Sequence, residues 1–459
     1  MAFTRLIRSR LIQSVVFQRQ LHVISRSSTN IKPASPTPSK LNRYNIPLYD
    51  RMAADAHMPL LLLYPSYNSD HSLKLIPDDA SLSDLLKKSL SETLSKYYPF
   101  AGRLRSGSYV ECNDEGVHFV EAEIGCKLSE VLEKAPVKEE EEGLGHLFPA
   151  CTIWNHSSKM YPGVVMHVQL SHFTCGGVAI AVTLHHHLGD ALTLCSFLRY
   201  WANLSLHSGD HKKLLHLCPR LVNELLPPSD DDSIKNISYP DKNWTTKEVV
   251  FPNRKLAELK VVVGNEDKLD GIAEDQKYTR NELLTALLYR CLVAAVAETN
   301  TGADKGSVLI RGVNVRPMLD PPLPETSVGN IVTVNYIPTS TESETKYRTL
   351  VARMREEKRR LRGIKNLDGH ELGPKLVEFS KNNYRFFIIS SICNFPIYEA
   401  TDFGWGKPIK AILVDTGMVD IISLMDTAND EIRAVVGLGE QDMKNFLAQK
   451  ELLTYGSFK

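Results

Sequence analysis

The chain has 459 residues, 43% hydrophobic and 24% charged, and its 54 basic and 54 acidic side chains cancel to zero formal charge. That is the makeup of an ordinary globular protein, long enough for two or three domains. No overall basic surface is available for nucleic acid, and no apolar run reaches the roughly 18 residues of a membrane span.

The first thirty residues differ from the rest. Arg5, Arg8, Arg10, Arg19 and Arg26 alternate with Leu6, Ile7, Leu11, Ile12, Val15, Val16 and Phe17, and the first acid of the chain is Asp50. An Arg-rich, acid-free, amphipathic segment matches an organellar transit peptide, so residues 1–30 read as an N-terminal extension with mitochondrial targeting. The alternative is a seldom-used upstream methionine and a cytoplasmic protein. Asn30 to Lys40 is Pro/Ser/Thr-rich and extended. Leu82, Leu85, Leu86, Leu90 and Leu94 mark an amphipathic helix stopped near Tyr98-Pro99. The acidic run Lys138 to Glu142 reads as a solvated loop.

A buried hairpin follows. Val164–Leu170 and Val178–Leu184 are largely apolar, and Cys175-Gly176-Gly177 supplies the turn between them. The chain then reads Leu184-His185-His186-His187-Leu188-Gly189-Asp190, after which Ala191, Leu194, Cys195, Leu198 and Trp201 recur at helical spacing. His186 and Asp190 thus sit where a strand hands over to a helix. Imidazole has the pKa best suited to proton transfer near neutrality, although a structural histidine beside a helix-capping Asp fits the same pattern. Metal is not expected: neighbouring strand residues face opposite ways, and no Cys or Glu pattern completes a zinc site.

Ser205 to Trp244 loses periodicity and reads as a long crossover, residues 205–245, between a first α/β domain (31–204) and a second (246–459). Val249-Val250-Phe251 restarts strand character. Leu283, Leu284, Leu287, Leu288, Cys291 and Leu292 form a helix stripe, and Val308-Leu309-Ile310 leads a strand toward Asn314 and Arg316. Tyr347 to Arg362 is a basic helix with one core stripe. Asp402-Phe403-Gly404-Trp405-Gly406-Lys407-Pro408 describes a tight loop packed on an aromatic. The eight cysteines are scattered without a Cys-x-x-Cys pair, as in a reduced compartment.

His186-x-x-x-Asp190 and Asp402–Gly406 together resemble the BAHD acyltransferases, plant enzymes that move an acyl group from coenzyme A to an alcohol or amine. Ile31 to Pro38, Tyr98 to Arg103, Val313 to Arg316, Gly329-Asn330 and Leu424 to Asp426 fall in family order as well, so the similarity runs from about Ile31 to the C-terminus. It is closest to the clade of vinorine synthase and other acetyl-transferring enzymes.

The resemblance implies two similar chloramphenicol-acetyltransferase-like α/β domains around a solvent channel, in a monomer with no permanently bound cofactor. It implies acyl-CoA, acetyl-CoA by clade, as co-substrate, and the hydroxyl of an alkaloid, terpenoid or simple alcohol as acceptor. His186 is then the general base, and Asp190 a structural partner of Arg316. Asp402, often grouped with the catalytic motifs, holds its loop. Thr279-Arg280 resembles the cofactor-side stretch. Many relatives place Thr-Ser-Trp where this chain has Ser390-Ser391-Ile392, so Ser390 or Asn314 is the candidate for the oxyanion. Ala191 replaces the Gly usual after the motif Asp. Two other readings are a condensation-type enzyme with a carrier-bound acyl donor and a catalytically silent binding protein.

Overall fold

The computed structural model describes residues 21–66, 79–132, 144–149, 162–207, 211–222, 244–269, 278–299, 305–363, 372–413 and 420–458. The acidic run, most of the crossover and residues 1–20 of the targeting segment lie outside them. In the first half, strands β1 (Val23–Ile31), β2 (His57–Tyr64), β3 (Val117–Ile124), β4 (Met166–Phe173) and β5 (Val178–His185) alternate with helices α1 (Asp79–Leu94) and α2 (Ala191–Leu206). In the second half come β6 (Trp244–Phe251), α3 (Asn253–Leu269), α4 (Arg280–Ala297), β7 (Gly306–Asn314), β8 (Val332–Thr339), α5 (Tyr347–Arg360) and β9 (Tyr384–Ser391). The chain closes with β10 (Lys410–Leu413), β11 (Ile421–Asp426), β12 (Ile432–Gly439) and β13 (Ser457–Phe458).

They build two mixed sheets, ordered β1-β3-β4-β5-β2-β10 and β8-β7-β9-β11-β12-β6-β13. Leu82, Leu86, Leu90 and Leu94 of α1 are fully buried on the first sheet, and the Trp201 indole of α2 donates to Ser89 Oγ at 3.0 Å, locking the two helices. Leu283, Leu287 and Leu292 of α4 and Leu350 and Met354 of α5 form the second core against Phe387 and Ile389. The hairpin forms as the apolar runs predict, with Met166 opposite Leu184 and Leu170 opposite Ile180. Gly176 takes a positive φ of 78° in its turn, a conformation open to glycine without steric cost. The α/β reading holds.

Two expected boundaries move. The folded body begins before Ile31: residues 23–31 pair antiparallel with β3 as an edge strand whose middle is exposed. Nor does the second domain keep all of its residues. Strand β10 pairs with β2, Lys410 opposite Leu63 and Leu413 opposite Leu60, so the chain returns to complete the first sheet. Phe403 and Trp405 pack with Tyr64 and Trp201 in the first core.

Candidate active site

Strand β5 ends at His185, and a single 3-10 turn spans His186–Leu188 before α2 starts at Ala191. The turn is pinned from two directions. The His186 N–H donates to the Ala56 carbonyl at 2.8 Å, and the His186 carbonyl accepts from Asn330 Nδ2 at 2.6 Å. The same amide group donates to Asp50 Oδ1 at 2.6 Å. Gly189 has no room for a side chain, because a Cβ there would press into Thr193. The imidazole is half-buried and its Nδ1 is enclosed without a hydrogen-bond partner. Burial lowers its pKa from the ordinary value, against the pull of the Asp190 charge.

Asp190 does not touch the imidazole. Its Oδ1 caps α2 by accepting from the Thr193 N–H at 2.8 Å. Its two oxygens accept from Arg316 at 2.7 and 3.0 Å, and Oδ2 also accepts from the Ile331 N–H at 3.2 Å. Arg316, 1% exposed, further donates to the Ser327 and Gly329 carbonyls and to Asn314 Oδ1. A buried bidentate pair answered on all sides ties the first-domain turn to the end of β7. Asp50, 1% exposed, has its pKa raised to about 7 by burial, with the Asn330 hydrogen bonds opposing and the Asp190 charge adding.

Asp402 Oδ1 accepts the Gly404 and Gly406 N–H groups at 2.8 and 2.9 Å, and both glycines have positive φ, 120° and 113°. Its carboxylate shapes that loop and makes no described hydrogen bond to the His186 turn. Thr279 caps α4 in a capping box with Glu282. Arg280 is engaged by Asp430 at 3.0 Å. Ser390 and Asn314 share one face of the second sheet: residues alternate in strands, and Val308, Ile310, Phe386 and Ile388 cluster on that face. Asn314 Oδ1 holds the Arg316 N–H at 3.1 Å. Ile392 is buried.

Sequence reasoning missed Asp50 and Asp55. The side chains of Asp55, His185 and His187 bring ligand-type atoms within 4.8 Å of one another, whereas spacing alone had suggested no such group. Asp55 lies 130 residues before His185, and no local pattern could have joined them. A concavity of about 760 Å³ is lined by Arg290, Lys305, Glu298, Lys450 and neighbours in the second half. None of its lining residues belongs to the His186 turn, and the chemistry rather than the volume locates the site.

Residues 21–453 match the model of the Transferase family. The chain belongs to the BAHD transferases. Akuammiline synthase 1 of Alstonia scholaris is 36% identical over 94% of this chain and 97% of its own. A malonyltransferase of Strychnos nux-vomica, named for N-malonylation of 17,18-epoxy-17-hydroxycur-19-ene, is 32% identical over 95% and 91%. The crystal structure of vinorine synthase superposes with a TM-score of 0.79 at 28% identity, covering 96% of this chain and 99% of that one. This BAHD member is an acyltransferase using an acyl-CoA co-substrate. Among the described residues no helix is long and apolar enough to cross a membrane.

Proposed function

We propose that this BAHD enzyme transfers an acetyl group from acetyl-CoA to a hydroxyl of an alkaloid-type plant metabolite. The observation that carries the reading is the His186 turn, which leaves one imidazole half-open while its own peptide groups are held by Ala56 and Asn330 and the following Asp190 by Arg316. With Nδ1 enclosed, Nε2 takes the acceptor hydroxyl proton. The oxygen attacks the thioester carbonyl, a tetrahedral oxyanion forms, and the C–S bond breaks. The departing thiolate recovers the proton from the imidazolium, with no acyl-enzyme. Ser390 Oγ is the oxyanion donor in this reading, with Asn314 Nδ2 beside it.

The acetyl and alkaloid choices rest on relatives named for those reactions, such as deacetylvindoline O-acetyltransferase of Catharanthus roseus. The malonyl relative makes acyl chain and acceptor atom the first variables to test. Thiol release from acetyl-, malonyl- and longer acyl-CoA against a panel of alcohols and amines measures both. His186→Ala should lower kcat by about 10²–10⁴-fold while unfolding like the parent. Equal turnover in the variant would remove His186 as base, and no thiol release from any donor would favour a silent binding protein. We further assign the segment before Val23 to mitochondrial targeting. Cleavage would have to fall ahead of β1, and a fluorescent fusion of residues 1–22 that stays cytoplasmic would end that assignment.

A further inference from the structure

Five histidines run ring to ring across one face of the first sheet. His118–His167, His167–His57, His57–His185 and His185–His187 have centroid separations of 5.4, 5.2, 5.0 and 4.8 Å. At the end nearest His186 the row meets a carboxylate, with His185 Nε2 lying 3.1 Å from Asp55 Oδ1. We propose that Asp55, His185 and His187 form a divalent transition-metal site, suited to zinc, whose filling disables the His186 turn between its two histidine ligands.

The donor set is the first argument. Two imidazoles and one carboxylate are ligands that zinc takes, and three protein ligands leave a fourth position for water. Hard ions such as magnesium prefer all-oxygen shells. Spacing supplies the second argument: His185 and His187 are two residues apart and fall on one side of the turn, with His186 between them. The third is an unanswered buried side chain. His187 is 3% exposed, and neither of its ring nitrogens makes a hydrogen bond of normal length, with the Ala53 backbone as its one weaker polar contact. A buried polar group left unmade is costly, and a metal ion is one partner that would satisfy it. Access comes through Asp55, whose side chain is 57% exposed.

Coupling to the turn follows from the tautomer. The His187 backbone N–H donates to His185 Nδ1 at 3.2 Å, so the neutral ring carries its proton on Nε2, facing Asp55. A metal ion arriving between Nε2 and the carboxylate needs the Nε2 lone pair, so the proton leaves Nε2 and one is taken up on Nδ1, with no net release from the neutral ring. The metal-bound ring then holds its proton on Nδ1, against the His187 N–H. The two cannot face each other, so His185 or the peptide must turn, and His186 is carried on the same three residues.

The test uses the untagged full-length protein, stripped with chelator and titrated with Zn²⁺ by calorimetry and by competition with a chromophoric chelator. One zinc per chain is expected, weakened at least about tenfold in Asp55→Ala, with no magnesium bound. Anomalous diffraction at the zinc edge should place the ion among the three side chains. Absence of binding, or zinc held equally well by Asp55→Ala, overturns the site. Inhibition by zinc, read relative to each variant's own metal-free rate and reversed by chelator, should need at least about tenfold more zinc in Asp55→Ala. Only this last arm rests on the acyltransferase reading. Zinc bound at the site without inhibition would overturn the coupling and leave the calorimetric result standing.

Discussion

Around Asp190 and Arg316, both carboxylate oxygens and the guanidinium nitrogens are met by named partners. Around Ser390 and Asn314, by contrast, the Ser390 hydroxyl and Asn314 Nδ2 make no hydrogen bond among the described residues, although Asn314 Oδ1 is held by Arg316. In the proposed reaction the base side is over-determined by buried polar contacts, and the acyl side is left with open donors. A base must be aimed before substrate arrives, because the geometry of proton transfer is exacting. Donors to an oxyanion find their partner only as charge develops. The two regions should therefore fail differently when cut.

Arg316→Ala gives the largest expected effect. It strands the Asp190 carboxylate in the interior at about 3–5 kcal/mol, seen as a loss in unfolding free energy with denaturant. A loss under 1 kcal/mol would mean that the clasp is dispensable. Ser390→Ala should leave stability alone and raise the barrier by about 2.7–4 kcal/mol if its hydroxyl meets the oxyanion. Unchanged kcat shifts that role to Asn314 Nδ2 or a backbone N–H.

Asp50 sharpens the contrast through pH. Its folded pKa of about 7 lies above the unfolded carboxylate value, so the folded state binds the proton more tightly. Its contribution is fully present below about pH 4 and lost as pH rises toward 7, at up to about 1.4 kcal/mol per pH unit. Melting curves should show Asp50→Asn, which keeps an acceptor for Asn330, gaining on the parent as pH climbs. Parallel curves would place the Asp50 pKa near normal. Arg280→Ala is the smallest effect. Its ion pair with Asp430 is exposed and worth up to about 1 kcal/mol, so stability and the KM for acyl-CoA should each move less than about fivefold in equilibrium terms. A larger KM rise would bring Arg280 to the cofactor.

Much of this was legible in the chain. The hairpin, the helix after Asp190 and the core stripes of α1 and α4 rest on local periodicity, which burial enforces. The Arg316 partner came through resemblance, and the geometry bears it out. Strand β1 was hidden because it is an edge strand: only Ile31 is buried, so Ser25, Arg26, Ser27, Ser28 and Thr29 carry no apolar signal. Asp50, Asp55 and Asn330 were illegible as partners for a different reason. Their hydrogen bonds span 280, 130 and 144 positions, and an isolated Asp or Asn announces nothing about where the fold will take it.

Strand β10, donated by the second half to the edge of β2, bears on how the protein can be divided. A fragment ending in the crossover would present the Leu60–Leu63 backbone as a raw apolar border, open to pairing with other chains. Such a piece should precipitate when expressed alone and become soluble when the complementary half is made in the same cell. Substrates must accordingly enter and leave past loops, since swinging the halves apart would unzip a sheet.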